Sequence, residues 1–241
     1  MLKYYADAGT SWSKILEIYE NDEELSLSPL CGHEHKILNT LVTKGRFYIV
    51  SSSKLSSLNL KFKSATGHMS KNMIIQGGKY ENEILALACG AQKIIKDLKD
   101  ATIVDLGSRD SKWVRFKDGK YKDLDWNGAC GSATGATIEM LCRYYDVKSS
   151  EIPFSKEKYP VTCGIFAMEK IMDDISSGKN SEIAISKYIH GIAYNTWNFA
   201  RKPEKIFLSG GFCENKCFIE SLSHYCEVKV LGRSVLVQGL L

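Results

Sequence analysis

The spacing of apolar residues changes several times along this chain, and each change predicts a new element. The first twenty residues, MLKYYADAGTSWSKILEIYE, place aromatic and β-branched positions on both sides of a tight Asp7-Ala8-Gly9-Thr10 turn, which predicts strand, turn and strand. A helix is expected over 35–43 and a strand over 46–51. In ENEILALACGAQKIIKDL the apolar positions 84, 87, 88, 91, 94, 95 and 98 follow a 3.6 period, so this segment reads as an amphipathic helix. Gly90 inside it marks an expected close helix contact. A short buried strand over 101–106, a polar turn over 107–112 and a second strand over 113–116 follow. Asp118-Gly119 then gives a hairpin turn into a third strand. Helices are expected at 134–146, 164–176 and 182–200, the middle one stopped by Ser176-Ser177-Gly178. KIFLSGGFCENKCFIESL reads as strand, double glycine and helix, and EVKVL as a last short strand. The sum is an α/β chain whose opening pattern, strand–glycine turn–strand, recurs near residue 102.

Each copy of that pattern carries an aspartate two residues before a glycine, at Asp7 and at Asp105, 98 positions later. A tight turn of this kind lets backbone N–H groups face an anion, and a carboxylate at the strand end can hold Mg²⁺ through water. Asp7, Gly9, Thr10, Ser11 and Lys14 offer that chemistry in the first copy; Asp105, Gly107, Ser108, Arg109, Asp110 and Lys112 offer it in the second. The third part is LSGGFCEN. Gly210 and Gly211 allow backbone to lie against an adenosine, and the helix start near Asn215 favours negative charge. This set resembles the actin-like, sugar-kinase and heat-shock ATPase superfamily, in which two hairpins clamp phosphates. GxxxxGK[ST] and GxGxxG are both absent.

Composition narrows the remaining possibilities. The 241 residues are 44% hydrophobic and 25% charged with a net charge of +4, and the basic residues are spread rather than clustered, so no nucleic-acid partner is expected. MLKYYADAGTS is not a basic segment followed by an apolar one, and no run approaches the ~18 apolar residues of a membrane span, so a cytoplasmic protein is expected. The eight cysteines include no CxxC pair, and in a reducing compartment most should pack as small hydrophobes. Two stand apart. Cys130, in NGACGSATGATIEML, and Cys163, in PVTCGIFAMEKIMDDI, each precede an expected helix and are each followed by glycine. Helix starts favour thiolates, and cubane iron–sulfur clusters take four of them, so two chains would complete a site. Packing remains the alternative at this point. Cys31-Gly-His33-Glu-His35 reads as a polar loop, and Cys213 and Cys217 as packed residues four apart on a helix face.

With these cysteine motifs the resemblance becomes close. The two segments, together with YADAGTSWSK, VDLGSRDSK, SATGHMSKN, NEILALACGA and LSGGFCEN in this order, resemble the ATP-dependent activators of 2-hydroxyacyl-CoA dehydratases and the related benzoyl-CoA reductase ATPase subunits, the BadF/BadG/BcrA/BcrD type. The resemblance implies an actin-like (ribonuclease H-like) ATPase fold with two similar α/β halves flanking a nucleotide cleft. Residues 1–98, with the tail 233–241, would form one half and 99–232 the other. It implies a homodimer holding one [4Fe–4S] cluster through Cys130 and Cys163 of each subunit, with ATP or ADP and Mg²⁺. Thr134 and Gly135 would lie near the nucleotide. Ferredoxin or flavodoxin would donate an electron, and a partner iron–sulfur dehydratase or reductase acting on acyl-CoA substrates would receive it. Asp7, Asp105 and Arg109 would carry the ATPase chemistry.

The sequence departs from that pattern at several places. Ala133 replaces a glycine, Ser108 and Arg109 stand where Gly-Gln is usual in the second turn, and Leu87 replaces a histidine. The loss of a glutamine that can position water bears on the hydrolysis rate, and Arg109 is expected to contact phosphate instead. The chain stops at VQGLL, where the family continues into a helix. Two other classes compete: a small-molecule kinase of the amino-sugar type, with packed cysteines, and a non-catalytic nucleotide-dependent interaction module. No base beside a sugar pocket is evident for the kinase.

Overall fold

A computed structural model of the chain describes residues 2–19, 28–40, 44–127, 134–161 and 164–241. The chain divides into two compact units, 1–96 with 233–241, and 97–232.

In the first unit six strands form one sheet. They are β1 (Lys3–Ala8), β2 (Trp12–Ile18), β3 (Lys36–Asn39), β4 (Lys44–Ser51), β5 (Phe62–Thr66) and β6 (Ile74–Tyr80), in the order β3-β4-β2-β1-β5-β6. β1 pairs antiparallel with β2 and parallel with β5, and the last four residues of β1 are buried, as a central strand covered on both faces requires. Helix α1 (Glu83–Ile94) follows, its start capped by Asn82, whose side chain accepts from the Ile84 N–H at 2.8 Å. It packs on α6 (Val235–Gly239) at a crossing too close for a side chain. A Cβ on Gly90 would stand 2.0 Å from the Val235 carbonyl oxygen, and one on Gly239 would stand 1.9 Å from that of Ala86. Gly90 thus does mark a close helix contact.

The helix expected over 35–43 is not formed. Lys36–Asn39 instead pairs antiparallel with β4, Leu38 opposite Gly45, as an exposed edge strand. The apolar spacing in so short a segment cannot outweigh the ladder that β4 offers. The same sheet buries a carboxylate: Glu17 on β2 accepts from Tyr48 Oη at 2.6 Å and from Ser28 Oγ, and the Ser28 and Tyr4 hydroxyls are 3.3 Å apart. The Tyr48 and Ser28 hydroxyls supply the hydrogen bonds that burial of this carboxylate demands, and Tyr4 in turn contacts Ser28.

The second unit repeats the arrangement. Strands β7 (Asp100–Leu106), β8 (Ser111–Lys117), β9 (Lys120–Asn127), β10 (Lys205–Gly210) and β11 (Glu227–Gly232) lie in the order β11-β10-β7-β8-β9. Two antiparallel pairings lead outward from β7 on one side and two parallel ones on the other; around β1 the parallel side is the same and the antiparallel side has one pairing more, with β3. Lys117 pairs with Lys120 across Asp118 and Gly119, both with positive φ (50° and 71°), which is the two-residue turn that Asp-Gly predicts. Helices α2 (Gly135–Tyr144), α3 (Gly164–Ser176), α4 (Ser181–Phe199) and α5 (Lys216–Ser223) complete the unit. Their apolar faces and the sheet enclose a core that includes Trp113, Tyr188, Phe212 and Phe218. Cys213 and Cys217 do not share a helix face: Cys213 lies in a 3-10 turn, Gly211–Glu214, and Cys217 is buried in α5. Asn215 ends one and caps the other, so the helix begins only after Cys213.

Candidate functional site

The two Asp-x-Gly hairpins have the same cross-strand chemistry. In the first, Asp7 on β1 is directly opposite Lys14 on β2, and the Lys14 Nζ lies 2.8 Å from Asp7 Oδ2. In the second, Asp105 on β7 is directly opposite Lys112 on β8, with Lys112 Nζ 3.9 Å from Asp105 Oδ1. Both aspartates are buried at the end of a central strand. A buried charge is tolerated when it is paired, and in each hairpin the partner is the lysine that the antiparallel register places opposite.

The first turn, Gly9 to Ser11, is pinned from behind by a residue that the sequence pattern does not flag. Ser52 donates its N–H to the Ser11 carbonyl at 2.9 Å and its hydroxyl to the Gly9 carbonyl at 2.7 Å, and its Oγ is 2.8 Å from Ser13 Oγ. With the carbonyls of Gly9 and Ser11 thus engaged, the turn is held from the Ser52 side. The Ser64–Asn72 motif also reaches the end of β1. Thr66 is opposite Asp7 in the parallel ladder, and Gly67, with φ +83°, lies so near Ala8 that a Cβ there would meet its carbonyl oxygen at 2.3 Å.

The second turn is closed by the Gly107 N–H donating to the Asp110 carbonyl at 3.0 Å. Asp110 Oδ2 accepts from the Trp126 indole N–H at 2.7 Å and lies 3.4 Å from Lys112 Nζ, while that ammonium sits over the Trp126 ring, 5.4 Å from its centroid. Asp105 Oδ2 accepts from Ser209 Oγ at 2.6 Å, tying this turn to the strand that leads into the double glycine. Gly210 adopts φ +90°, and a Cβ there would stand 2.3 Å from the Leu106 carbonyl oxygen, so only glycine fits. Asn215 does not face outward; its side chain caps α5 by accepting from the Phe218 N–H at 2.8 Å. Arg109 is exposed at the tip of the turn.

Thr134 and Gly135 come to the same place. Thr134 Oγ1 donates to the Ser108 carbonyl at 2.5 Å, the Gly135 N–H to the Gly107 carbonyl at 3.2 Å, and the Ala136 N–H to the Ser108 carbonyl at 3.0 Å. The first amides of α2, normally without partners at a helix start, are therefore satisfied by the turn itself. Gly107–Asp110, the start of α2 and Gly210-Gly211 thus converge within one unit. The sequence pattern gave no reason to single out Ser52, Ser209 or Trp126. Their roles depend on partners 43, 104 and 16 positions away.

The two cysteines expected to hold a cluster, Cys130 and Cys163, lie outside the described residues. The described chain resumes at Thr134, which precedes α2, and at Gly164, the first residue of α3. Burial raises the thiols of Cys142, Cys217 and Cys226, the last to about 11, which keeps them protonated and suits packing rather than ligation. Among the described residues no group of three His, Cys, Asp or Glu side chains is placed to hold a metal ion, and His33 and His35 are exposed. His190, in contrast, is buried, with Nδ1 2.7 Å from the Ser155 carbonyl and Nε2 2.8 Å from Tyr225 Oη.

Comparison with known proteins places these features in context. The chain is 20% identical over 176 residues to the (R)-2-hydroxyglutaryl-CoA dehydratase activating ATPase of Acidaminococcus fermentans, covering 69% of this chain and 67% of that protein. It is 23% identical over 194 residues to the activator of lactoyl-CoA dehydratase of Anaerotignum propionicum, 74% of this chain and 72% of that one. Its fold superposes with a TM-score of 0.74 on the activator of the 2-hydroxyisocaproyl-CoA dehydratase from Clostridium difficile with bound ADPNP, at 18% identity over 100% of this chain and 92% of that one. The α/β fold is therefore the actin-like one expected from the paired hairpins. Residues 62–238 match the model of the BadF/BadG/BcrA/BcrD ATPase family, and the chain belongs to that family.

Proposed function

We propose that the chain is an ATP-hydrolysing activator that takes one electron from a ferredoxin or flavodoxin. It passes the electron, with conversion of ATP to ADP and phosphate, to a partner iron–sulfur dehydratase or reductase acting on acyl-CoA substrates. The observation that carries this reading is the second hairpin, which pairs Asp105 with Lys112 and whose Gly107 and Ser108 carbonyls are hydrogen-bonded directly to the start of α2, the helix downstream of Cys130 in sequence.

In this reading Lys14 and Lys112 neutralise phosphate charge, and the glycines of each turn let backbone N–H groups approach it. Asp7 and Asp105 hold hydrated Mg²⁺, which commonly binds through one or two carboxylates and the substrate phosphates. Gly210 and Gly211 admit the adenosine. Arg109, exposed at the turn, contacts the phosphate that leaves, in the place where the family has a glutamine. Residues 1–98 with the tail 233–241, and 99–232, act as the two ATPase halves.

Cys130 and Cys163 fit a [4Fe–4S] cluster by their donor chemistry: each is a cysteine followed by glycine just upstream of a helix start, where a thiolate is favoured. Bound by these cysteines, the cluster supplies one-electron redox chemistry. Two ligands per chain require a second copy, hence a homodimer. Met140 and Tyr144 on α2, and Phe166 and Met172 on α3, are large apolar side chains left exposed on the helices after the cysteines, which supports an interface there.

The test is anaerobic ATP turnover by the full chain and by Asp105→Asn, whose amide oxygen can still accept from Ser209. A loss of about a hundredfold is expected on removing one carboxylate charge that would hold the phosphate-bound Mg²⁺. Turnover equal to that of the native chain would overturn the assignment of this hairpin.

A further inference from the structure

Cys130 lies in the segment between β9, which ends at Asn127, and α2, which begins at Gly135. The downstream stem of that segment is bonded to the second turn through Thr134, Gly135 and Ala136. The upstream stem is bonded to it as well, because the Trp126 indole N–H donates to Asp110 Oδ2 at 2.7 Å and its ring faces Lys112. One four-residue turn, Gly107–Asp110, therefore holds both stems. β9 is an edge strand whose residues are largely exposed, Trp126 among them, and the indole N–H of Trp126 ties the end of that strand to the second turn. A donor to a carboxylate is a charge-assisted bond that fixes orientation as well as adding energy.

We propose that Trp126 is a positioning residue that couples occupancy of the Gly107–Asp110 turn to the Cys130 segment through its upstream stem. This rests on the reading of that turn as a phosphate site. Phosphate or Mg²⁺ arriving at the turn competes for Asp110 and Lys112. The indole then loses or reorients its acceptor, and the end of β9 shifts with it. α2 is moved from the other side by the Gly107 and Ser108 carbonyls, so the two stems respond together rather than one stretching against the other.

The experiment uses the full-length apoprotein and follows alkylation of Cys130, resolved by peptide mass spectrometry, without nucleotide and with saturating MgADP or MgADPNP. Binding of each nucleotide is measured separately by calorimetry. In the native chain the Cys130 rate should differ at least about fivefold between nucleotide states, the lower end of typical coupling between sites. In Trp126→Phe, which keeps the ring over Lys112 but lacks the N–H, the difference should fall below about twofold at saturation. Asp110→Asn weakens the same bond from the acceptor side and should lose the response similarly. A Trp126→Phe chain that responds like the native one overturns the proposal, as does a native chain that binds nucleotide without any change at Cys130. Failure of the native chain to bind either nucleotide overturns the phosphate-site reading instead.

Discussion

Replacing Ser52 by alanine separates the support of the first turn from the stability of its sheet. The substitution deletes two contacts of a buried hydroxyl, the 2.7 Å bond to the Gly9 carbonyl and the 2.8 Å contact with Ser13 Oγ, and leaves the backbone bond to Ser11 in place. At roughly 1 kcal/mol per hydrogen bond the loss in unfolding free energy should be about 2 kcal/mol. Ser13→Ala is the matched control. It removes the same Ser13–Ser52 contact, about 1 kcal/mol, but leaves the Gly9 carbonyl bonded. Urea denaturation measures both losses, and calorimetric titration with MgATP measures the consequence for binding. Ser52→Ala should weaken MgATP about tenfold, equivalent to ~1.4 kcal/mol of lost preorganisation, while Ser13→Ala changes affinity by less than about twofold. If both variants lose stability as expected and bind MgATP alike, Ser52 is only a packing residue and the reasoning about the turn is wrong.

Other expected outcomes are more local. Burial raises the Tyr4 hydroxyl to about 12, with smaller contributions from Ser28, which lowers it, and Glu17, which raises it. A raised folded-state value gives stability that is present below the unfolded value near 10 and lost as pH climbs toward 12, so the urea midpoint should fall above pH 10 and fall less in Tyr4→Phe. Gly90→Ala forces a methyl against the Val235 carbonyl and should cost about 2–4 kcal/mol in thermal or urea unfolding; an unchanged midpoint would contradict the close crossing of α1 and α6. Arg109→Ala, at an exposed tip, should leave the urea midpoint within about 0.5 kcal/mol yet reduce ATP turnover at least about tenfold, and unchanged turnover would remove Arg109 from the chemistry.

What was legible in the sequence is what is decided locally. Asp118-Gly119 names its own turn because few other residue pairs accept two positive φ values in succession. The helix around Gly90 announces itself by a sustained 3.6 period, and the strand 101–106 by a short, largely apolar stretch around Ile103 and Val104. The helix expected over 35–43 gives way to a strand at Lys36–Asn39 because so short a segment carries too little period to choose between helix and strand, and its state is set by β4. β5 and β6 carry neither a sustained alternation nor strong boundaries, and Gly77-Gly78 interrupts the second. Cys213 and Cys217 look like one helix face until the Asn215 cap places the helix start between them. The supports of the two turns were hidden for a related reason. Ser52, Ser209 and Trp126 act only through strands that the sheets bring alongside, and a serine or an edge-strand tryptophan looks the same in sequence whether or not it has such a neighbour.

The central claim joins ATP chemistry to a shared cluster, and one measurement addresses both halves. The full chain is isolated anaerobically, reconstituted with iron and sulfide, and analysed for iron, sulfide and ATP turnover on the same sample, beside Cys130→Ser and Cys163→Ser. The account expects about two irons and two sulfides per native chain, as one four-iron cluster per two copies requires. It also expects measurable ATP turnover, and loss of iron in each variant while the urea midpoint stays close to the native value. Full iron content in either serine variant, or turnover by a native chain that takes up no iron, would contradict it.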